Sequence, residues 1–281
     1  MKKFICLFFI ALTLIGCNGS GSSSSTEEQK KETVNLQEID LSGTWLVILE
    51  EDAFNNENDD HLLTNFQESR MIFNDTDSGI EFNRCERHGH SRPDTGVKAD
   101  DRLYLRLDNN GYEYINGEFI RTWEEDDYYY EHISWQKTER LVKLSNEIQL
   151  DSGFFSLSGP VQISEENHVC VRSYYSTLST DKSFTILIPT ADDIIDFHIN
   201  YWGDIDTKTY EFDNENYDNQ IQGISLGDNE ETFYNATGEY YPYITNGTVT
   251  FTDTSDASIS GNFTATSQEG HEYSGSFEAI F

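Results

Sequence analysis

From Leu41 to the C-terminus, apolar and polar residues alternate with a period of two, and Gly or Asn interrupts the alternation about every eight to twelve residues. Successive side chains of a strand point to opposite faces, so this pattern specifies half-buried β-strands joined by turns. No stretch carries the apolar stripe of an amphipathic helix. The clearest run is Arg102 to Trp123, RLYLRLDNNGYEYINGEFIRTW, in which Asn116-Gly117 supplies the two positive-φ positions of a type I′ hairpin turn. That turn sets Tyr114 opposite Phe119 and Tyr112 opposite Arg121. One face then holds Leu103, Leu105, Leu107, Tyr112, Tyr114, Phe119 and Trp123, while Arg102, Arg106, Glu113 and Glu118 lie on the other beside Tyr104, Ile115 and Ile120. This is the signature of a sheet wetted on one side.

The expected fold is therefore all-β: an antiparallel sandwich or barrel rich in hairpins, occupying residues 40–281 as one domain or as two units, 40–180 and 181–281, that meet near Ser179 to Lys182. A second Asn-Gly, Asn246-Gly247, predicts another type I′ turn, pairing Ile244 with Val249 and Tyr243 with Thr250. Near the end, Ser260-Gly261-Asn262-Phe263-Thr264-Ala265 recurs as Ser274-Gly275-Ser276-Phe277-Glu278-Ala279. The period is too local for a solenoid and describes one terminal hairpin, with Phe263 and Phe277 inward and a glycine beside each, where another backbone can approach closely.

The chain has 51 acidic against 18 basic residues, a formal charge of -33, which repels phosphate and excludes nucleic acid as a partner. Aromatics at 14% provide ample apolar surface for a core. Calcium is the one metal whose ligands are plentiful, in Asp75 and Asp77, Asp204 and Asp206, and the run Asp213, Glu215, Asp218. None has the glycine of an EF-hand loop, and the clusters read as solvated loops, so no cofactor is expected. Cys85, His88 and His90 have close ligand spacing without a fourth partner. The chain contains no His-Glu-x-x-His and no phosphate-cradling Gly loop, so a binding or envelope-structural module is expected rather than an enzyme.

At the N-terminus, Lys2 and Lys3 precede an apolar run from Phe4 to Ile15, too short for a permanent membrane span and suited to a secretion signal. The run closes on Leu14-Ile15-Gly16-Cys17, which resembles the lipobox of bacterial lipoproteins. The resemblance implies cleavage of a signal peptide, residues 1–16, and acylation of Cys17. Several acyl chains make such an anchor effectively permanent. Asn18 stands where an Asp would retain the protein at the inner membrane, so the resemblance implies the outer membrane. Residues 17–39 are Gly, Ser and charge, a flexible tether with a mean reach of about 26 Å for a random coil of this length. Cleavage removes Lys2 and Lys3 and leaves 16 basic against 51 acidic residues, so the lipid must do the holding at an anionic surface.

With Cys6 discarded and Cys17 acylated, Cys85 and Cys170 remain, an even pair in an oxidising compartment, and a disulfide between them is expected. At the opening of the domain, Leu41-Ser42-Gly43-Thr44-Trp45 is similar to the Gly-x-Trp strand of lipocalins, whose Trp plugs one end of a barrel. That likeness implies a carrier of a small apolar ligand. In that family an Arg near the final strand packs over the Trp, whereas the last Arg here is Arg172 and the closing strand YSGSFEAIF has none. A glycan is the other ligand considered, since exposed aromatics suit a polymer and an enclosed cavity suits a small molecule. The discordant residue of the aromatic face is Arg121, because a guanidinium opposite Tyr112 would be costly if sealed in an apolar core. Tyr112, Arg121 and Trp123 are therefore the candidate ligand-binding residues, with Arg121 at the rim of a cleft and its truncation expected to cost no more than about 1 kcal/mol.

Overall fold

A computed structural model describes residues 35–280 apart from 59, 85–93, 100, 106–109, 128–131, 150–152, 164–168, 178–180, 190–193, 214–218, 229–231, 239–240 and 256–257. The fold is all-β, as the alternation predicts, and it contains a barrel and a sandwich together. The first body is built from β1 (Gly43–Asn55), β2 (Asp60–Thr76), β3 (Gly79–Arg84), β4 (Asp94–Ala99), β5 (Arg102–Leu105), β6 (Tyr112–Ile115), β7 (Glu118–Asp126) and β8 (Ile133–Ser145). Each strand pairs antiparallel with the next, and β1 pairs with β8 as well as β2, so the sheet closes into an up-and-down barrel. The hairpin of β6 and β7 has the expected register, Tyr114 opposite Phe119, with φ of 53° at Asn116 and 95° at Gly117.

The two ends of the barrel differ. Where β1 begins, the connections are the tight pairs 77–78, 100–101 and 116–117. At the opposite end they are the longer segments 56–59, 85–93, 106–111 and 127–132. The tight end is plugged. A 3-10 turn, Leu36–Glu38, drives Leu36 into the barrel core alongside Leu41, and the Trp45 indole donates to the Leu41 carbonyl at 2.8 Å. The Trp45 ring packs against Phe73 and Phe119 at 5.8 and 5.6 Å. The strand that closes the barrel is β8, not the last strand of the chain, and its Lys143 places Nζ 5.7 Å from the Trp45 ring centroid. A cation therefore lies over the Trp, carried by the strand that closes the barrel rather than by the C-terminal strand.

The second body comprises β9 (Gly153–Ser158), β10 (Cys170–Ser176), β11 (Asp181–Pro189), β12 (Ile194–Trp202), β13 (Thr209–Asp213), β14 (Ile221–Asp228), a short helix α1 (Thr232–Thr237), β15 (Ile244–Thr254), β16 (Ser258–Ser267) and β17 (Glu272–Ile280). It is joined to the barrel through β2. The C-terminal half of β2, Met71 to Thr76, pairs with β3, whereas Asn65 to Ser69 pair with β10. From that fork the sheet continues through β11, β12 and β14, and a second sheet runs in the order β13-β15-β16-β17-β9. One core cluster spans Leu36 to Leu141, the other Phe155 to Ala279, yet residues 34–281 pack as one compact unit. The change of core falls between Leu141 and Phe155 and does not coincide with the seam considered near Ser179 to Lys182.

The second Asn-Gly is a correction. Asn246-Gly247 lies inside β15, opposite Thr266 and Ala265 of β16, and forms no turn. A Cβ on Gly247 would sit 2.1 Å from the Thr264 carbonyl oxygen and 2.8 Å from the Phe212 ring, so the glycine serves close packing. The terminal repeat forms the expected hairpin, with Gly261 opposite Phe277 and Gly275 opposite Phe263.

Candidate functional site

The register of β1, β7 and β8 stacks the inward-facing side chains in layers along the barrel. Phe119, Leu141 and Val47 form an apolar layer, Arg121, Glu139 and Leu49 the next, and Trp123, Lys137 and Glu51 the one nearest the long connections. Apolar filling thus gives way to charge midway along the barrel. Exposure rises in the same direction: Glu139 is 1% exposed, Arg121 13%, Lys137 19% and Glu125 52%. On these strands the barrel opens from a sealed floor towards water.

Glu139 is the centre of the charged layer. Its Oε2 accepts from Arg121 Nε and from the Tyr112 hydroxyl, both at 2.7 Å, and its Oε1 is ion-paired with Arg84 Nη2. Strands β3, β6, β7 and β8 are tied together through this one carboxylate. Burial alone would push its carboxyl up, but the guanidinium groups of Arg84 and Arg121 more than offset that and hold it below the usual carboxylate range. Burial, and then the charge on Glu139, push the Tyr112 phenol far above its ordinary range, so it stays a proton donor to the carboxylate. One layer out, Lys137 bridges Glu51 at 3.0 Å and Glu125 at 2.8 Å, and Glu125 also accepts from the Trp123 indole at 2.9 Å. Those contacts lower the Glu125 pKa. A carboxylate kept ionised by two guanidinium groups is a weak proton acceptor, so the cluster is suited to directed hydrogen bonding.

The three candidate residues come together. The Arg121 guanidinium carbon lies 4.7 Å from the Tyr112 ring centroid and 4.7 Å from that of Trp123, sandwiched between the two. Its position differs from a bare rim, because it is largely enclosed and neutralises Glu139. Sequence reasoning missed Arg84, Glu139, Lys137 and Glu51. The inward face of β8 carries Trp135, Lys137, Glu139, Leu141 and Lys143, which no hydrophobic pattern distinguishes from a solvent face. Cys17, Cys85, His88 and His90 lie outside the described residues. Cys170 is buried at the start of β10 and is disulfide-bonded. Among the described residues, no three His, Cys, Asp or Glu side chains come together in a way that could hold a metal ion. Of the calcium candidates, Asp75 is paired with Lys98 and Asp204 with Lys182.

The fold and site together define an up-and-down barrel with a plugged apolar floor and a charged, aromatic-flanked upper half, extended by a sandwich. Searched against protein-family models and against curated proteins, the chain matches none.

Proposed function

We propose that this is a lipid-anchored protein of the bacterial outer membrane whose barrel binds a small ligand at the end opposite the Trp45 plug, in the manner of a lipocalin. The observation that carries the reading is the change of lining along the barrel, from apolar and sealed to charged and increasingly exposed. A closed barrel of eight strands has room for one small ligand above a filled floor. Connections at that end are the longer ones, and loops on a rigid scaffold are where binding residues concentrate. The lining suits a ligand with an apolar body and a polar or charged head rather than a wholly apolar one, because an apolar group would strip water from the half-open Lys137, Glu51 and Glu125 ion pairs and offer no hydrogen bond in exchange. The anchor rests on the likeness of Leu14 to Cys17 to a lipobox.

The test uses 8-anilinonaphthalene-1-sulfonate, an aromatic body with one anionic head. The folded protein should bind it saturably, with quenching of tryptophan fluorescence, and Trp123→Ala should weaken binding about tenfold, as for an interface aromatic anchor. Absence of saturable binding, or affinity unchanged in Trp123→Ala, would remove the barrel-ligand reading.

A further inference from the structure

A second feature, remote in sequence from the charged layer, points to a different ligand. From α1 to the start of β15 the chain carries three strongly exposed tyrosines: Tyr234 within the helix at 47%, then Tyr241 at 48% and Tyr243 at 57%. Tyr241 is held in an unusual way. A Cβ on Gly227 of β14 would lie 1.9 Å from Tyr241 Cδ1, 2.4 Å from Cε1 and 3.0 Å from Cγ. The ring therefore lies against the strand backbone in space that only a glycine leaves, and it is still half open to solvent. Gly227 neighbours Leu226, which points into the sandwich core, so the ring covers the opposite face of β14. Pro242 is buried between Tyr241 and Tyr243, which turns both tyrosines outward, and the Tyr243 carbonyl is fixed by the Gln268 N–H at 2.8 Å. The Cα atoms of Tyr241 and Tyr243 are two residues apart, at most roughly 7 Å along the chain.

From this arrangement we infer that the Tyr241–Tyr243 surface binds an uncharged polysaccharide, with the C–H faces of successive sugar rings stacked on the tyrosines. A ring fixed on a backbone offers flat contact area with little rotamer entropy left to lose, and its hydroxyl can bond to sugar hydroxyls. Charge selects the class of polymer. No Lys, Arg or His occurs between Lys208 and His271, while Asp228, Glu230, Glu231 and Glu239 flank the tyrosines in sequence. The carboxylates that flank the tyrosines disfavour an anionic polymer, whereas a neutral one is indifferent to the charge. The inference is independent of the barrel-ligand reading, since it uses none of the same residues.

The full chain, unlipidated through Cys17→Ala, is run in native gels containing a soluble β-glucan, an α-glucan, a galactomannan or a xylan, with polygalacturonate as the anionic comparison. At least one neutral polymer should retard it and polygalacturonate should not. Tyr241→Ala should weaken that retardation about tenfold, the loss typical of an aromatic anchor. Gly227→Ala, which displaces the ring without altering it, should do the same. Tyr243→Ala, at the most exposed position, decides the matter should either of the others fail to fold. No retardation by any neutral polymer, equal retardation by polygalacturonate, or wild-type retardation of the folded variants would overturn the proposal.

Discussion

Arg121 illustrates how far a single residue can be read from its neighbours in sequence. The Asn116-Gly117 turn and the alternation beyond it bring Arg121 to the face of Tyr112 and Trp123, and the structure places all three in contact. Its energetic role depends on Glu139, which is 18 positions away and invisible to the hairpin. Truncating one partner of a buried ion pair leaves the other charge uncompensated, so Arg121→Ala should cost about 3 kcal/mol in chemical denaturation rather than the 1 kcal/mol of a rim position. A loss below about 1 kcal/mol would show that Arg84 alone neutralises Glu139. The lowered pKa of Glu139 also has a pH signature. Its stabilisation is fully present above the unfolded carboxyl value of 4.5 and is lost as pH falls through the lower folded value. Glu139→Gln should accordingly be less stable than the wild type at neutral pH, with the gap closing below pH 4.5 in acid titrations followed by circular dichroism.

At the level of elements, the Gly-x-Phe repeats of the last hairpin work as a pair of locks. Each glycine sits opposite a phenylalanine of the other strand, and the ring fills the space that a Cβ would take. A Cβ on Gly275 would meet the Ser156 carbonyl oxygen at 2.1 Å and the Phe263 ring at 2.7 Å, so Gly275→Ala must push either the β9 backbone or a core ring aside. Overpacking of this kind costs roughly 1–3 kcal/mol, and the melting temperature should drop accordingly. Gly270, in the turn of the same hairpin, has nothing within 4 Å of its Cβ position but a φ of 84°, so Gly270→Ala should cost only its backbone strain, about 1 kcal/mol. Equal effects at the two sites would show that steric contact with β9 is relieved at no cost. The contrast between Asn116-Gly117 and Asn246-Gly247 follows the same logic. Both dipeptides favour a turn locally, but at Gly247 the Phe212 ring and the paired strand β16 take the glycine for packing.

The whole molecule depends on the fork in β2. Above Ser69 the edge facing β3 is handed to β10, and Cys170 lies at the start of β10, beyond the Arg172–Ser69 pair and towards Met71. Arg84, the residue before Cys85, is paired with Met71 at the same level. A bridge from Cys85 to Cys170 would stitch the two branches where they part. Closing a loop of about 85 residues is worth on the order of 4.5 kcal/mol by chain entropy. Non-reducing peptide mapping should find Cys85 linked to Cys170, and Cys170→Ser should lower stability by several kcal/mol. A free, alkylatable Cys85 would exclude the pairing. Anchoring has its own readout. Cys17→Ala should pass into the soluble envelope fraction and lose incorporation of labelled fatty acid, and retention in a carbonate-washed membrane pellet would exclude the lipid anchor.

Much of this architecture is local in origin and so was legible in the chain. Strand periodicity, the type I′ turn at Asn116-Gly117, the inward set Leu103, Leu105, Tyr112 and Phe119, and the terminal Gly/Phe hairpin all follow from residues within one or two strands of each other. Three things did not follow. Closure of the barrel rests on pairing β1 with β8 across some ninety residues, and both a sandwich and a barrel satisfy the same alternation. The division of β2 between two partners is a choice between strand edges of equal hydrogen-bonding capacity, which no side-chain pattern encodes. The cluster around Glu139 inverts the usual rule of apolar side chains inside, because charges from β3, β7 and β8 pair only once the barrel has brought them within bonding distance.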